Sequence, residues 1–396
     1  MSAAHDHDTP AGEVLDVSVV IPCLNEEATV GECVSKARAA IGKLGVRGEV
    51  LVVDNGSTDA SADVARSAGA RIVTEPRPGY GRAYLAGFAA ARGRYLVMGD
   101  ADDTYDFSDL SGFVKPLQGD CDMVMGTRLK GNIEPGAMPW HHRYIGVPVL
   151  SVLLNGLFKT NLSDAHCGMR SIRAAAVAEL NLRTTGMEFA SEMIIKAARK
   201  RLRIAEIPIT LHKGGRRGRP HLRSFRDGWR HLKMMFMLSP THLFVIPGAG
   251  LFGLGALLMG VMAFGPYRVG GLLVDFHWMI LGSLLTVLGF NVLNIGFFAR
   301  IFALTEGFEE RDPILTKLFG WFNLERGLLA GAALTLAGLG LNLKILYDWI
   351  RLGYSFGGQV RVRPALIALT LMVIGVQVFF SSFFYSILGT GRRPPG

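Results

Sequence analysis

The 396-residue chain is 49% hydrophobic and carries 42 Lys and Arg against 33 Asp and Glu, a formal net charge of +9. That apolar content, concentrated after residue 240, excludes a uniformly soluble enzyme and predicts a soluble half joined to a membrane half. The basic excess calls for an anionic partner; the absence of any RNA- or DNA-binding motif argues against nucleic acid and for lipid headgroups or phosphorylated substrates.

Residues 1–14 are polar, lack an apolar core and read as a disordered tail, not a signal peptide. Strands are then expected at 16–22, 49–54, 71–75, 94–99 and 121–126, with helices at 26–43, 57–68, 79–93 and 108–118, giving a mostly parallel α/β sheet. The first strand runs into Ile21-Pro22-Cys23-Leu24-Asn25-Glu26. The second ends in Val53-Asp54-Asn55-Gly56-Ser57, where Ser57 or Thr58 is placed to cap the next helix. Asp54 is either a turn residue or a strand-end carboxylate able to accept a base N–H. Gly79-Tyr80-Gly81 lacks the third glycine of a dinucleotide fingerprint, because that position is Tyr84. Gly81 reads as a point of close backbone approach or as a plain helix-start glycine.

The fourth strand ends in Asp100-Ala101-Asp102. Carboxylates at the end of a buried strand need a partner, and Mg²⁺ takes one or two carboxylates plus phosphate oxygens. In an open α/β sheet the ligand sits at such carboxyl ends.

Cys23, Cys33, Cys121 and Cys167 lack Cys-x-x-Cys spacing, which leaves reduced thiols in place of structural zinc. Residues 139–160 form an amphipathic helix whose Trp140, Arg143 and Tyr144 suit either a core or a membrane-surface position. Glu188 and Glu192 share one turn of a further helix, as orienting groups or as surface residues. A basic loop with Arg216, Arg217 and Arg219 leads to Phe225, Trp229, Leu232 and Phe236 on one helical face, an interfacial helix suited to anionic lipid. Apolar stretches near 242–264, 277–303, 327–349 and 364–389 are long enough to span a bilayer. The basic run before the first span places the large domain in the cytosol, with Arg392 and Arg393 returned to that side. Arg351, Arg361 and Arg363 on the far side violate that rule modestly. Glycines 248–260 suggest close helix packing and, with it, a homo-oligomer.

Four ordered motifs, Ile21–Glu26, Val53–Ser57, Asp100-Ala101-Asp102 and Asp164-Ala-His-Cys-Gly168-Met-Arg170, together resemble the inverting family-2 glycosyltransferases of GT-A fold. The polyprenyl-phosphate branch, with dolichyl-phosphate mannose and glucose synthases, resembles them most over residues 15–240. The resemblance implies a GT-A catalytic domain at 15–212, a basic loop and interfacial helix at 213–240, and a four-helix membrane domain at 241–390. It implies transfer of a hexose from a nucleotide-diphospho-sugar, UDP-glucose or GDP-mannose, to a polyprenyl phosphate with inversion. It assigns Pro22, Leu24, Asn25, Glu26, Val52, Asp54, Gly81, Asp100, Ala101 and Asp102 to the donor. Asp100 and Asp102 would hold Mg²⁺ or Mn²⁺, with Thr104 standing where relatives often carry a Gln ligand. Arg128 and Arg170 would meet the acceptor phosphate, joined by Arg216, Arg217 and Arg219. Because that phosphate is already anionic, no general base is required. A processive polysaccharide synthase lacks support, since no Gln-x-x-Arg-Trp follows the domain. A non-catalytic scaffold sits poorly with an intact Asp-x-Asp.

Overall fold

The computed structural model describes residues 15–215, 224–270, 272–305, 323–354 and 361–390. The N-terminal tail, Arg216, Arg217 and Arg219, the segment with Arg311 and Lys317, and Arg392 and Arg393 lie outside the described residues. The chain divides between Met235 and Phe236 into two compact units.

In the first unit, β1 (Leu15–Cys23), β2 (Gly48–Asp54), β3 (Arg71–Thr74) and β4 (Gly93–Met98) are joined by α1 (Val30–Lys43), α2 (Ser61–Ser67) and α3 (Tyr80–Ala90). There follow α4 (Ser111–Gln118), β5 (Met123–Ile133), α5 (Val147–Phe158), β6 (Arg170–Arg173), α6 (Ala174–Leu180), α7 (Phe189–Arg199), β7 (Ile204–Leu211) and α8 (Ser224–Met237). The sheet order is β3-β2-β1-β4-β6-β5-β7. Only β6 runs antiparallel, to β4 and to β5. Val17, Val19, Val20 and Ile21 of β1 are all buried, as expected of a strand covered on both faces. Along α1, Val30, Cys33, Val34, Ala37, Ala40 and Ile41 turn inward at helical spacing.

Three helices start three or four residues later than their sequence suggests: α1, α2 and α4, the last at Ser111. The segment before α1 is a loop with Asn25 at φ 56°, a left-handed conformation that Asn tolerates. Likewise α2 begins at Ser61, whose N–H bonds to Asp59 at 3.0 Å, so neither Ser57 nor Thr58 caps it. The last expected strand extends to Ile133, with a register shift between Thr127 and Asn132.

The 139–160 helix forms with a π turn at His142–Gly146. Pro148 explains the irregularity: it has no N–H to give the preceding turn. Trp140, Tyr144, Ile145, Val149 and Val152 are exposed, which matches the membrane-surface alternative better than a core helix. On α8 the aromatic face is also outward, Phe225 being 96% and Trp229 64% exposed, while Asp227, His231 and Met235 are buried. His142 Nε2 and Ser224 Oγ lie 2.8 Å apart, tying the two helices together.

Among the described residues, the second unit contains four helices long and apolar enough to cross a membrane, Thr241–Ala263, Phe276–Leu304, Leu324–Arg351 and Val362–Leu388. The first is a π turn followed by α9 (Ile246–Ala263); the others belong to α10 (Phe276–Thr305), α11 (Leu324–Arg351) and α12 (Val362–Thr390). Gly248 and Gly255 of α9 serve packing inside the chain: a Cβ on Gly255 would lie 2.4 Å from the Thr286 nitrogen of α10. Those two glycines therefore give no argument for an oligomer. Asn294 accepts from Tyr385 Oη at 2.7 Å, an interhelical bond. Arg361 pairs with Asp348 at 2.9 Å and Arg363 with Asp275, which offsets the charge asymmetry noted above.

Candidate active site

The strand order reverses beside β1, whose neighbours are β2 and β4. Their carboxyl ends therefore open a crevice, the expected ligand position in an open α/β sheet. Three loops meet there. Asn25 accepts from Thr58 N–H at 2.8 Å, and the Asn25 N–H donates to Ser57 Oγ at 3.1 Å. Glu26 is buried and its N–H donates to Ser61 Oγ at 2.7 Å. Thr29 Oγ1 donates to the Ala101 carbonyl at 2.7 Å, bridging the first loop to the Asp-x-Asp turn. Asp54 Oδ1 accepts the Ser57 N–H at 3.0 Å. Pro22 and Leu24 flank this arrangement half-buried. Val52 is different: its side chain is wholly in the core and its main chain lies between paired strands.

Asp102 and Asp100 stand half-buried at the end of β4. Thr104 donates to Asp102 Oδ1 from both its N–H, at 3.2 Å, and its hydroxyl, at 2.6 Å. Thr104 thus orients the carboxylate. Tyr80 is in side-chain hydrogen-bonding contact with Asp100; burial first, and then the Asp100 charge, push its phenol far above the ordinary range, so it remains a donor. Among the described residues, no group of three His, Cys, Asp or Glu side chains forms a metal cage. Two fixed carboxylates suit a hard cation that takes its remaining ligands from phosphate and water, so the donor set fits Mg²⁺ or Mn²⁺.

Gly81 requires a correction. A Cβ there would lie 2.3 Å from the Thr184 carbonyl oxygen and 3.0 Å from Phe189 Cβ. The close approach that demands glycine is made by the chain's own 184–189 segment. That segment is pinned by Glu192, which is buried and accepts from Thr184 N–H at 2.8 Å and pairs with Lys196 at 2.6 Å. Glu192 is therefore neither a surface residue nor an arginine-orienting one.

On the other side of Asp100, Arg128 donates from Nε and Nη2 to Asp164 at 2.6 and 2.8 Å. Asp164 is completely buried and also accepts the Arg128 N–H at 3.1 Å. A bidentate pair of this kind fixes the plane of the guanidinium. Gly168 donates its N–H to Tyr105 Oη at 2.9 Å and packs directly against Asp100. Arg170 does not share the task expected of it. It is 1% exposed and its guanidinium donates to the Cys167 carbonyl at 2.6 and 3.1 Å and to the Ala190 carbonyl at 3.1 Å. Its guanidinium braces the 164–170 segment against α7.

Sequence reasoning missed Asn55, Tyr80 and His212. Asn55 donates to the Glu75 and Arg77 carbonyls at 2.8 Å each and accepts from Gly79 N–H at 2.7 Å, so it shapes the turn into α3. The His212 N–H donates to the Thr104 carbonyl at 2.9 Å, which brings the end of β7 beside the Asp-x-Asp loop. The Asp-Asn-Gly-Ser run signalled the first; the last depends on a tertiary contact with no local signature. Burial pushes the Cys23, Cys33 and Cys167 thiols up to about 12, so none is a nucleophile at neutral pH.

Residues 18–180 match Glycosyl transferase family 2, and residues 297–389 match the Glycosyltransferase family 2 C-terminal transmembrane region. The low-salt glycan biosynthesis hexosyltransferase Agl6 of Haloferax volcanii is 40% identical over 376 residues, 94% of this chain and 89% of the relative. A dolichyl-phosphate hexose transferase of the same organism is 31% identical over 214 residues, 54% of this chain and 89% of the relative. Among solved structures, glucosyl-3-phosphoglycerate synthase from Mycobacterium tuberculosis, in complex with Mn²⁺, UDP-glucose and phosphoglyceric acid, is 23% identical with a TM-score of 0.44, covering 56% of this chain and 79% of that one. The chain belongs to glycosyl transferase family 2: it is a glycosyltransferase of GT-A fold and a multi-pass membrane protein.

Proposed function

We propose that this enzyme transfers a hexose from a nucleotide-diphospho-sugar, UDP-glucose or GDP-mannose, to a polyprenyl phosphate, with inversion and with a divalent cation. The observation that carries the reading is the contact of two motifs. Gly168, in the segment that holds Arg128 through Asp164, packs against Asp100 of the cation turn. A donor diphosphate and an acceptor phosphate would thus have their counter-charges on adjoining loops. The names of the relatives, one a dolichyl-phosphate hexose transferase, support the same acceptor class.

Asp54 and the Asn25–Glu26 loop would receive the nucleotide. Asp100 and Asp102 would hold Mg²⁺ or Mn²⁺, which supplies charge stabilisation to the departing diphosphate. Arg128, planar and pre-oriented by Asp164, would take two oxygens of the acceptor phosphate. That phosphate is an anion at neutral pH and attacks without a general base. One displacement with no enzyme nucleophile inverts the anomeric centre. Arg216, Arg217 and Arg219 are proposed as further phosphate contacts on their sequence alone. The exposed Trp140, Tyr144, Phe225 and Trp229 support lipid contact by the helical segment leading into α5 and by α8, and the basic run before the first span supports a cytoplasmic catalytic unit.

Offering the purified full chain polyprenyl phosphate or the corresponding polyprenol separates this chemistry from ordinary hydroxyl glycosylation. Only the phosphate should accept sugar; comparable transfer to the alcohol would require a base and would overturn the proposal.

A further inference from the structure

The 164–170 segment makes one side-chain contact that the reaction as derived does not use. His166 Nε2 lies 3.2 Å from Ser191 Oγ on α7, and the same oxygen lies 2.8 Å from His231 Nδ1 on α8. The two imidazoles meet edge to face with ring centroids 4.6 Å apart. Ser191 and His231 are buried, so neither bond competes with bulk water, and leaving one unmade is costly. A serine hydroxyl has one proton and two lone pairs. That single proton can reach only one imidazole, so at least one ring must present an N–H to Ser191, which couples the two tautomers. Burial holds both rings well below the ordinary histidine range, His231 at about 4, so both are neutral when the relay forms. The charged groups acting on His231 are Asp227, which favours its protonation, and Arg170, which opposes it; Arg170 and Arg128 act on His166.

We infer that His231 is a positioning residue for the acceptor half of the site: through Ser191 and His166 it fixes the segment whose Asp164 aims Arg128. This rests on the assignment of Arg128 to the acceptor phosphate. The inward burial of Asp227 and His231 on a helix whose aromatic residues face outward gives α8 two faces with separate tasks. The outward face suits lipid. The inward face holds the loop that receives the lipid's phosphate.

The bond uses Nδ1, so Asn can replace it and Gln cannot; Phe keeps the ring packing and loses the bond. In the full-length enzyme, His231→Phe and Ser191→Ala should each raise KM for polyprenyl phosphate roughly tenfold, the usual scale of a buried hydrogen bond. Donor KM should stay within twofold. His231→Asn should restore at least half of the lost kcat/KM, His231→Gln should not, and the Ser191→Ala/His231→Phe double variant should be no worse than either single one. Thermal stability measured alongside identifies variants that are merely unfolded. Equal effects on donor and acceptor KM, or additive losses in the double variant, would overturn the inference. If wild-type enzyme never uses polyprenyl phosphate, it is the acceptor assignment that fails.

Discussion

Gly168 and Asp100 leave no room for a side chain between them: a Cβ on Gly168 would lie 2.8 Å from Asp100 Oδ2 and 3.0 Å from Tyr105 Oη. The glycine is required by this contact and not by its backbone angles. Gly168→Ala should push Asp100 out of place while leaving the sheet intact. A displacement of about 1 Å in a positioned catalytic group typically costs roughly a hundredfold. A fall of that order in kcat/KM with little change in melting temperature is expected. Wild-type turnover would show that the contact is incidental.

Asp102→Asn should depress transfer by roughly a hundredfold or more, the scale of losing one electrostatic stabiliser. Thr104 can still orient the amide, so the fold should persist. Turnover near wild type at saturating Mg²⁺ or Mn²⁺ would sink the assignment of this carboxylate.

Arg128→Lys keeps the charge and removes the fork. Lysine cannot meet Asp164 and a phosphate in one plane. The acceptor KM should rise about tenfold with the donor KM little changed. A donor-side defect instead would move Arg128 to the leaving group.

These residues were unequally visible in the sequence. The Asp-x-Asp turn was legible because an apolar run stops abruptly at two carboxylates, a pattern that burial makes expensive unless it is used. Asp164 and Arg128, 36 residues apart, were suggested only by family likeness. Arg170 was misread because an arginine in a phosphate-linked motif looks like a ligand, and its carbonyl partner at Ala190 is set by tertiary packing. The membrane helices matched the sequence within a few residues, since bilayer thickness fixes apolar length. Nothing local distinguished His231 from the exposed residues of its helix; only Ser191 and His166 reveal its direction.

Acid should loosen α8. The His231 pKa falls from 6.5 to about 4 on burial. Between those values the unfolded chain binds more protons than the folded one, so stability rises with pH across that window and levels off above it. The apparent melting temperature of the wild type should therefore fall between pH 7 and pH 5. His231→Asn removes this titration and should show a shallower fall. Parallel curves would mean that His231 does not carry the dependence.

The most direct measurement supplies the purified full-length protein with polyprenyl phosphate and UDP-glucose or GDP-mannose labelled in the sugar, with Mg²⁺ or Mn²⁺ or with chelator, and follows label into the organic phase. Label in an acid-labile polyprenyl phosphosugar of β configuration, lost with chelator, is predicted. Release of free sugar alone, growth of a polymer, or chelator-insensitive transfer giving the α-linked product would contradict it.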